Sequence, residues 1–192
     1  RSSAASDVYK RQAHRKEIES EILQIAEPFS AVLDLLYTLP GLDKNPMTAI
    51  AILSEIGPDM SVFPSSKHLV SWAGCCPRND QSNQKVKSRR ISRAGSYLKP
   101  LLVQVANALI KSKKHPEFKE RYHRIKSRRG HKKAIIAVCK MLLTAIWNML
   151  SKLEPYNPDG FLEHRPVKQE KILTVSQALE LLRLRGYTIT NQ

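Results

Sequence analysis

Residues 131–153, HKKAIIAVCKMLLTAIWNMLSKL, decide the fold class. Apolar side chains surround the stretch almost completely, so a helix here must be covered by neighbours on nearly every side. Its polar positions Lys140, Thr144 and Asn148 fall in one i, i+4 row, the single stripe left for solvent or DNA. The apolar run 134–150 is short for a bilayer and is broken by those same residues, so no membrane span is expected. A buried central helix requires partners, and the flanking sequence supplies helical patterns rather than strands.

Upstream, residues 118–125 suit a short helix. Residues 95–111 place Tyr97, Leu98, Leu101, Leu102, Val105, Ala108 and Leu109 on one face, and Pro100 sets the start of the regular helix close to it. Residues 61–74, SVFPSSKHLVSWAG, read as a short helix capped by Ser65 or Ser66, with Leu69, Val70 and Trp72 turned inward. In residues 39–57, LPGLDKNPMTAIAILSEIG, a Pro-Gly turn and an Asn45-Pro46 turn precede a helix from Met47 to Ile56, closed by Gly57. This order looks like a helix-hairpin-helix, whose backbone N–H groups hold a DNA phosphate. Asp43 replaces the second hairpin glycine and repels a phosphate, so phosphate binding and a purely structural turn both stay open.

An arm from Ala13 to Leu39 carries an apolar stripe through Ile18, Ile22, Ile25, Phe29, Val32, Leu33 and Leu36, which Pro28 kinks or divides. Packing or dimerisation is its simplest use. Beyond the linker PYNPDGF, residues 172–187 suit a small helix capped by Ser176 and closed at Gly186. The first twelve residues, RSSAASDVYKRQ, have no apolar signal segment and resemble translated adapter sequence. The expectation is a fragment lacking its N-terminal part. The fold class is mainly α: a helical arm, then a compact helical domain with a helix-hairpin-helix-like segment and a basic loop. The expected divisions are 1–12 non-native, 13–39 arm or linker, 40–153 domain, and 154–192 linker and small helix.

The formal charge is +15, and residues 85–133 hold 17 Lys and Arg against Glu117 and Glu120 alone. So concentrated a field points to a polyanion, most often nucleic acid; the plain alternative is a solvated basic surface. Cys75, Cys76 and Cys139 make no CxxC pair or zinc spacing, and an odd count disfavours a disulfide framework, so a reducing cytoplasmic setting fits. There is no Gly-rich nucleotide loop and no HExxH. His115, His123 and His131 are eight apart and do not share one helix face. Glu117, Glu120 and His123 read as a surface face, so no metal site is expected in this chain.

The basic loop at 75–100 reads CCPRNDQSNQKVKSRRISRAGSYLKP. Phosphoryl transfer needs positioning and positive charge around the equatorial oxygens, which Arg78, Lys85, Lys87, Arg89, Arg90 and Arg93 can supply. A serine hydroxyl is a weak nucleophile without activation. By composition Ser82, among Asn79, Asp80, Gln81 and Asn83, is a serine of a polar turn.

The order of motifs adds more. LPGLDKNPMTAIAILSEIG, then FPSSKHLVSWAGCCPRNDQS, then KSRRISRAGSYLKPLLVQVA resembles the C-terminal transposase domain of the IS-one-ten type of bacterial insertion sequences, the bridge-RNA-guided serine recombinases. The resemblance covers about residues 35–110 closely and reaches loosely to 153. It implies that Ser82 is the nucleophile, attacking a DNA phosphodiester to leave a phosphoserine link that conserves bond energy for strand exchange. Asn83 and Gln84 stand where the family commonly has Gly-Gly. Asn tolerates the left-handed conformation, whereas Gln84 fits a close approach of backbone to DNA less well. In this transposase reading Arg78, Lys85, Lys87, Arg89 and Arg90 neutralise phosphates, with Arg93 and Lys99 positioning the backbone. Partners would be DNA, a guide (bridge) RNA and further copies of the chain. Mg would belong only to a separate N-terminal ribonuclease-H-like domain, with no cofactor in this fragment, which would be inactive alone. A different reading takes the segment as a non-catalytic nucleic-acid-binding or assembly module.

Overall fold

The computed structural model describes residues 2–77, 80–82, 85–88, 91, 94–159 and 175–185. The chain divides into two compact units, Arg1–Asn157 and Pro158–Gln192. In the first, helix α1 (Ser2–Ala26) gives way to a 3-10 turn (Glu27–Phe29) and then α2 (Ser30–Tyr37). Pro28 is the cause of the break, because it cannot donate to the helical ladder. Helix α1 includes residues of the 1–12 run set aside above, and from Ser6 to Ile25 its side chains are exposed or partly exposed.

Helix α3 (Pro46–Ile56) starts where expected: Asn45 accepts a bond from Thr48 N at 3.2 Å, Pro46 opens the first turn, and Gly57 ends it. A second 3-10 turn (Met60–Val62) is capped by Asp59, which accepts from Ser61 N at 2.8 Å. Helix α4 (Ser66–Trp72) buries Leu69 and Val70, but Trp72 is 46% exposed, contrary to the sequence reading. Its ring instead meets Phe63 edge-on at 5.6 Å. Ser65 stands at the cap position, where its hydroxyl is 2.9 Å from His68 Nδ1 rather than on a backbone N–H.

A two-stranded antiparallel ribbon follows, β1 (Asp80–Ser82) with β2 (Lys85–Ser88). The sequence reading had a polar turn here and no strands, because KVKS offers a single apolar residue to an alternating pattern. Helix α5 (Leu98–Leu109) buries Leu98, Leu102, Val105, Ala106 and Leu109. Tyr97 lies before the helix and is largely exposed, and Ala106 rather than Ala108 is the buried alanine. Helix α6 (Pro116–Arg129) is longer than the apolar pattern suggested, since its basic C-terminal residues are good helix formers and only Gly130 stops it.

Helix α7 (His131–Lys152) is the centre of the unit, packing against α2, α4, α5, α6 and the Met60–Val62 turn. Val138, Leu142, Leu143 and Ile146 are fully buried along it, while Lys140 and Asn148 stay exposed and Thr144 is partly so. Truncating one of these leucines to alanine costs about 2–5 kcal/mol. By length and apolarity α7 could cross a membrane, the one such helix among the described residues, yet 56% of its most apolar stretch is buried by its neighbours. That packing accounts for its composition. Leu153 closes it in the left-handed conformation at φ 56°. In the second unit, α8 (Val175–Leu184) holds Ser176 within its first turn rather than as a cap; Gly186 lies outside the described residues.

Candidate nucleic-acid interface

The ribbon leaves the helical body between α4 and α5, and two glycines hold its roots together. A β-carbon on Gly74 would lie 2.6 Å from the carbonyl oxygen of Ala94 and 2.8 Å from Lys99 Nζ. One on Gly95 would collide with the carbonyl oxygen of Ala73. Both glycines have φ +67°, so any side chain would be strained as well as crowded. Pro77 then bridges Ile91 in antiparallel fashion, closing the base of the ribbon.

Along the ribbon Asp80 pairs with Ser88, Gln81 with Val86, and Ser82 with Lys85, with an irregularity between Asp80 and Gln81. Ser82 therefore ends β1 and faces the first residue of β2 across the ladder, far from the roots. Five residues separate it from Pro77, at most about 17 Å of extended chain. Of the sequence-derived phosphate contacts, Lys85 and Lys87 belong to β2. Arg78, Arg89, Arg90 and Arg93 lie outside the described residues, as do Asn83 and Gln84.

Lys99 sits at the root. Its backbone N–H donates to Gly95 O at 2.9 Å in the first turn of α5, and its ammonium lies over Gly74. Beside it an open concavity of about 350 Å³ is lined by Ala94, Gly95, Ser96, Lys99, Pro100 and Val103. Two thiols back this root from the core. Burial pushes Cys75 up to about 11, while the Lys99 charge pulls the other way. Burial likewise pushes Cys139 on α7 up to about 12, with Cys75 adding to the rise. Both are free and serve as small apolar packing groups.

The hairpin between α2 and α3 carries Gly41 at φ +87°, and a β-carbon there would come within 2.9 Å of Val105 on α5. Leu39 and Leu42 on either side are buried. The close approach of this turn to α5 gives its glycine a structural cause. Among the described residues no group of three or more His, Cys, Asp or Glu is placed to hold a metal ion. The sequence reading chose no site residue from α6, although Arg121, Arg124, Lys126, Arg128 and Arg129 are all exposed there.

Residues 33–123, from α2 through the ribbon into α6, match the model described as the transposase IS116/IS110/IS902 family. The chain is 30% identical over 125 residues to the pilin gene-inverting protein of Moraxella bovis, covering 64% of this chain and 38% of that one. It is 29% identical over 122 residues to the transposase for insertion sequence element IS1111A of Coxiella burnetii, 62% of this chain and 33% of that one. It is 28% identical over 152 residues to the insertion element IS110 43.6 kDa protein of Streptomyces coelicolor, 77% of this chain and 36% of that one. The aligned part thus spans less than two fifths of the length of each of these relatives. No solved structure matches.

Proposed function

We propose, for a chain whose residues 33–123 match the model described as the transposase IS116/IS110/IS902 family, that the β1–β2 ribbon is the part that meets a DNA phosphodiester. In this reading the domain works in DNA transposition or site-specific recombination as part of a larger assembly. The observation that carries it is the position of Ser82, at the end of a ribbon whose roots are locked backbone to backbone at Gly74 and Gly95. A reacting group must be held to within a fraction of an ångström. A ribbon with a closely packed base would hold its reacting serine in a defined place against a nucleic acid.

Ser82 Oγ would attack the phosphorus, forming a P–O bond to serine while the bond to one deoxyribose oxygen breaks. The serine proton ends on the departing oxygen, directly or through solvent. The phosphoserine keeps the bond energy, so a hydroxyl from another strand can reverse the step and rejoin the DNA. Gene inversion, the activity in the name of the Moraxella bovis relative, demands rejoining of this kind. Lys85 and Lys87 on β2, with Arg78, Arg89, Arg90 and Arg93 nearby in sequence, would neutralise the phosphates, and Lys99 would hold the backbone at the root. A guide RNA, a metal-binding partner domain and further copies of the chain complete the proposed assembly, in the bacterial cytoplasm where its DNA substrate lies.

The test joins this domain to an intact N-terminal domain and guide RNA and looks for a denaturant-resistant protein–DNA adduct. With Ser82→Ala the adduct should vanish while DNA affinity stays within about twofold, because a neutral hydroxyl contributes little to backbone binding. An adduct that survives the substitution moves the nucleophile elsewhere and leaves the ribbon as a DNA-holding element of a non-catalytic module.

A further inference from the structure

The ribbon is not the only concentration of positive charge. Helices α6 and α7 pack side by side and are joined at Gly130, whose φ of +83° turns the chain directly from one into the other. The end of α6 and the start of α7 therefore make one corner. Arg124, Lys126, Arg128 and Arg129 lie on its α6 side, Lys132 and Lys133 on its α7 side, and all six are exposed. None of the six makes an ion pair with a carboxylate among the described residues. The corner lies past residue 123, where the family match stops.

The corner is also held in shape. Tyr122, 6% exposed, places its hydroxyl 2.8 Å from Nδ1 of His131, tying α6 to the first residue of α7. Lys126 Nζ stands 5.5 Å from the centre of the same Tyr122 ring. A fixed array of cations gives up less freedom on meeting an anion than a flexible one.

A purely structural account explains half of this charge. Basic residues in the last turn of α6 complement the negative end of its dipole, which covers Lys126, Arg128 and Arg129. It fails for Lys132 and Lys133. They stand in the first turn of a 22-residue helix that has no acidic residue there and no side-chain cap, so their charges oppose the positive end of the α7 dipole. An anion at the corner would offset that repulsion and accept the uncapped N–H groups as well.

The placement suits an extended polyanion. Helix α7, which begins at the corner, packs against α4 and α5, the two helices between which the ribbon leaves the body. A duplex presents phosphates along its whole length, so one laid along α7 could meet both places.

We propose that the α6–α7 corner, through Arg124, Lys126, Arg128, Arg129, Lys132 and Lys133, is a second phosphodiester-binding surface that grips a nucleic-acid duplex beside the ribbon. Its choice of a nucleic acid rests on the transposase reading, but it does not depend on Ser82. The grip is to backbone phosphate, which a DNA duplex and an RNA–DNA hybrid both present.

The test measures binding of the full chain to a 30-base-pair DNA duplex and to an RNA–DNA hybrid of equal length across a salt series. The variants are Lys132→Glu with Lys133→Glu, and separately Lys85→Gln with Lys87→Gln. The corner variant should bind about tenfold or more weakly at 0.1 M salt, and its salt slope should fall by about 2. Its thermal midpoint should equal or exceed that of the unaltered chain, because acids suit the start of a helix. Lost affinity with unreduced stability cannot come from misfolding. Loss on DNA alone, or on the hybrid alone, supports the surface and identifies which duplex it holds. Unchanged affinity and slope in the corner variant, with weakened binding in the ribbon variant, overturns the corner and leaves the proposed function standing. Binding of neither duplex by the unaltered chain at low salt overturns the corner and the nucleic-acid role of the ribbon together.

Discussion

Gly74 and Gly95 face each other across the base of the ribbon so closely that neither can carry a β-carbon. One added to Gly74 would sit 2.6 Å from Ala94 O, and one on Gly95 would strike Ala73 O. The described strands β1 and β2 lie between these two glycines in the chain and so start from a closely packed base.

Gly95→Ala should lower stability by about 2 kcal/mol or more, the sum of left-handed strain and backbone collision. Gly57→Ala is the control. Its φ is +75° but nothing lies within 4 Å of the added carbon, so only strain of about 1 kcal/mol applies. Urea unfolding of both variants checks the order; equal losses would mean that the clasp adds nothing beyond backbone strain.

A second clasp joins the segment before α4 to α7. Trp147 on α7 donates its indole N–H to Phe63 O at 2.9 Å, and Phe63 packs edge-on against Trp72. Trp147→Phe keeps most of the apolar volume but leaves this carbonyl without its donor. The cost should be about 1–3 kcal/mol in chemical unfolding, with the helical circular dichroism of the native state unchanged. A loss below about 0.5 kcal/mol would mean that water replaces the indole.

Much of this fold was legible because its main helices state their own boundaries. Pro28 divides the arm, Asn45 and Gly57 bracket α3, and the row at Lys140, Thr144 and Asn148 marks the outer stripe of α7. The ribbon was not legible. Its strands are three and four residues long with Val86 as their one apolar residue, and the glycine contact at its roots joins positions 21 apart in the chain. Trp72 was placed inward because its side chain is large and apolar, but an edge contact to Phe63 leaves much of it in water. The charge of α6 was visible in sequence. Its assembly into a corner was not, since that requires knowing that Gly130 joins two helices without a loop.

Tyr156 ties the strap after α7 to the helical body. Tyr156 donates its hydroxyl to Glu117 Oε1 at 3.2 Å, and its backbone N–H reaches Thr38 Oγ1 at 2.9 Å. Its ring also stacks on Phe118 at 6.3 Å. Tyr156→Phe should retain the stacking and cost about 1–2 kcal/mol, because the Glu117 carboxylate, 8% exposed, keeps only His115 at 3.6 Å beside it. Amide exchange of Glu154, Tyr156 and Asn157 should quicken in the same variant, and unchanged protection there would show that the Glu117 bond does not hold the strap.

The core thiols contribute to a loss of stability at alkaline pH. Burial holds Cys75 near 11 and Cys139 near 12, above the ordinary thiol value of about 8.5 in an unfolded chain. Above that value the unfolded state releases protons that the folded state retains, so stability falls as pH rises from about 8.5 towards 11–12. Neither group contributes a slope below pH 8. Urea midpoints measured from pH 7 to pH 10.5 should therefore be flat at first and then decline, and replacing both residues with alanine should flatten the decline. Thiol labelling gives the independent check. At pH 8 Cys76, partly exposed, should react in the folded protein, while Cys75 and Cys139 wait for unfolding. Three thiols reacting at one fast rate would mean that the wall behind the ribbon root opens in the native state.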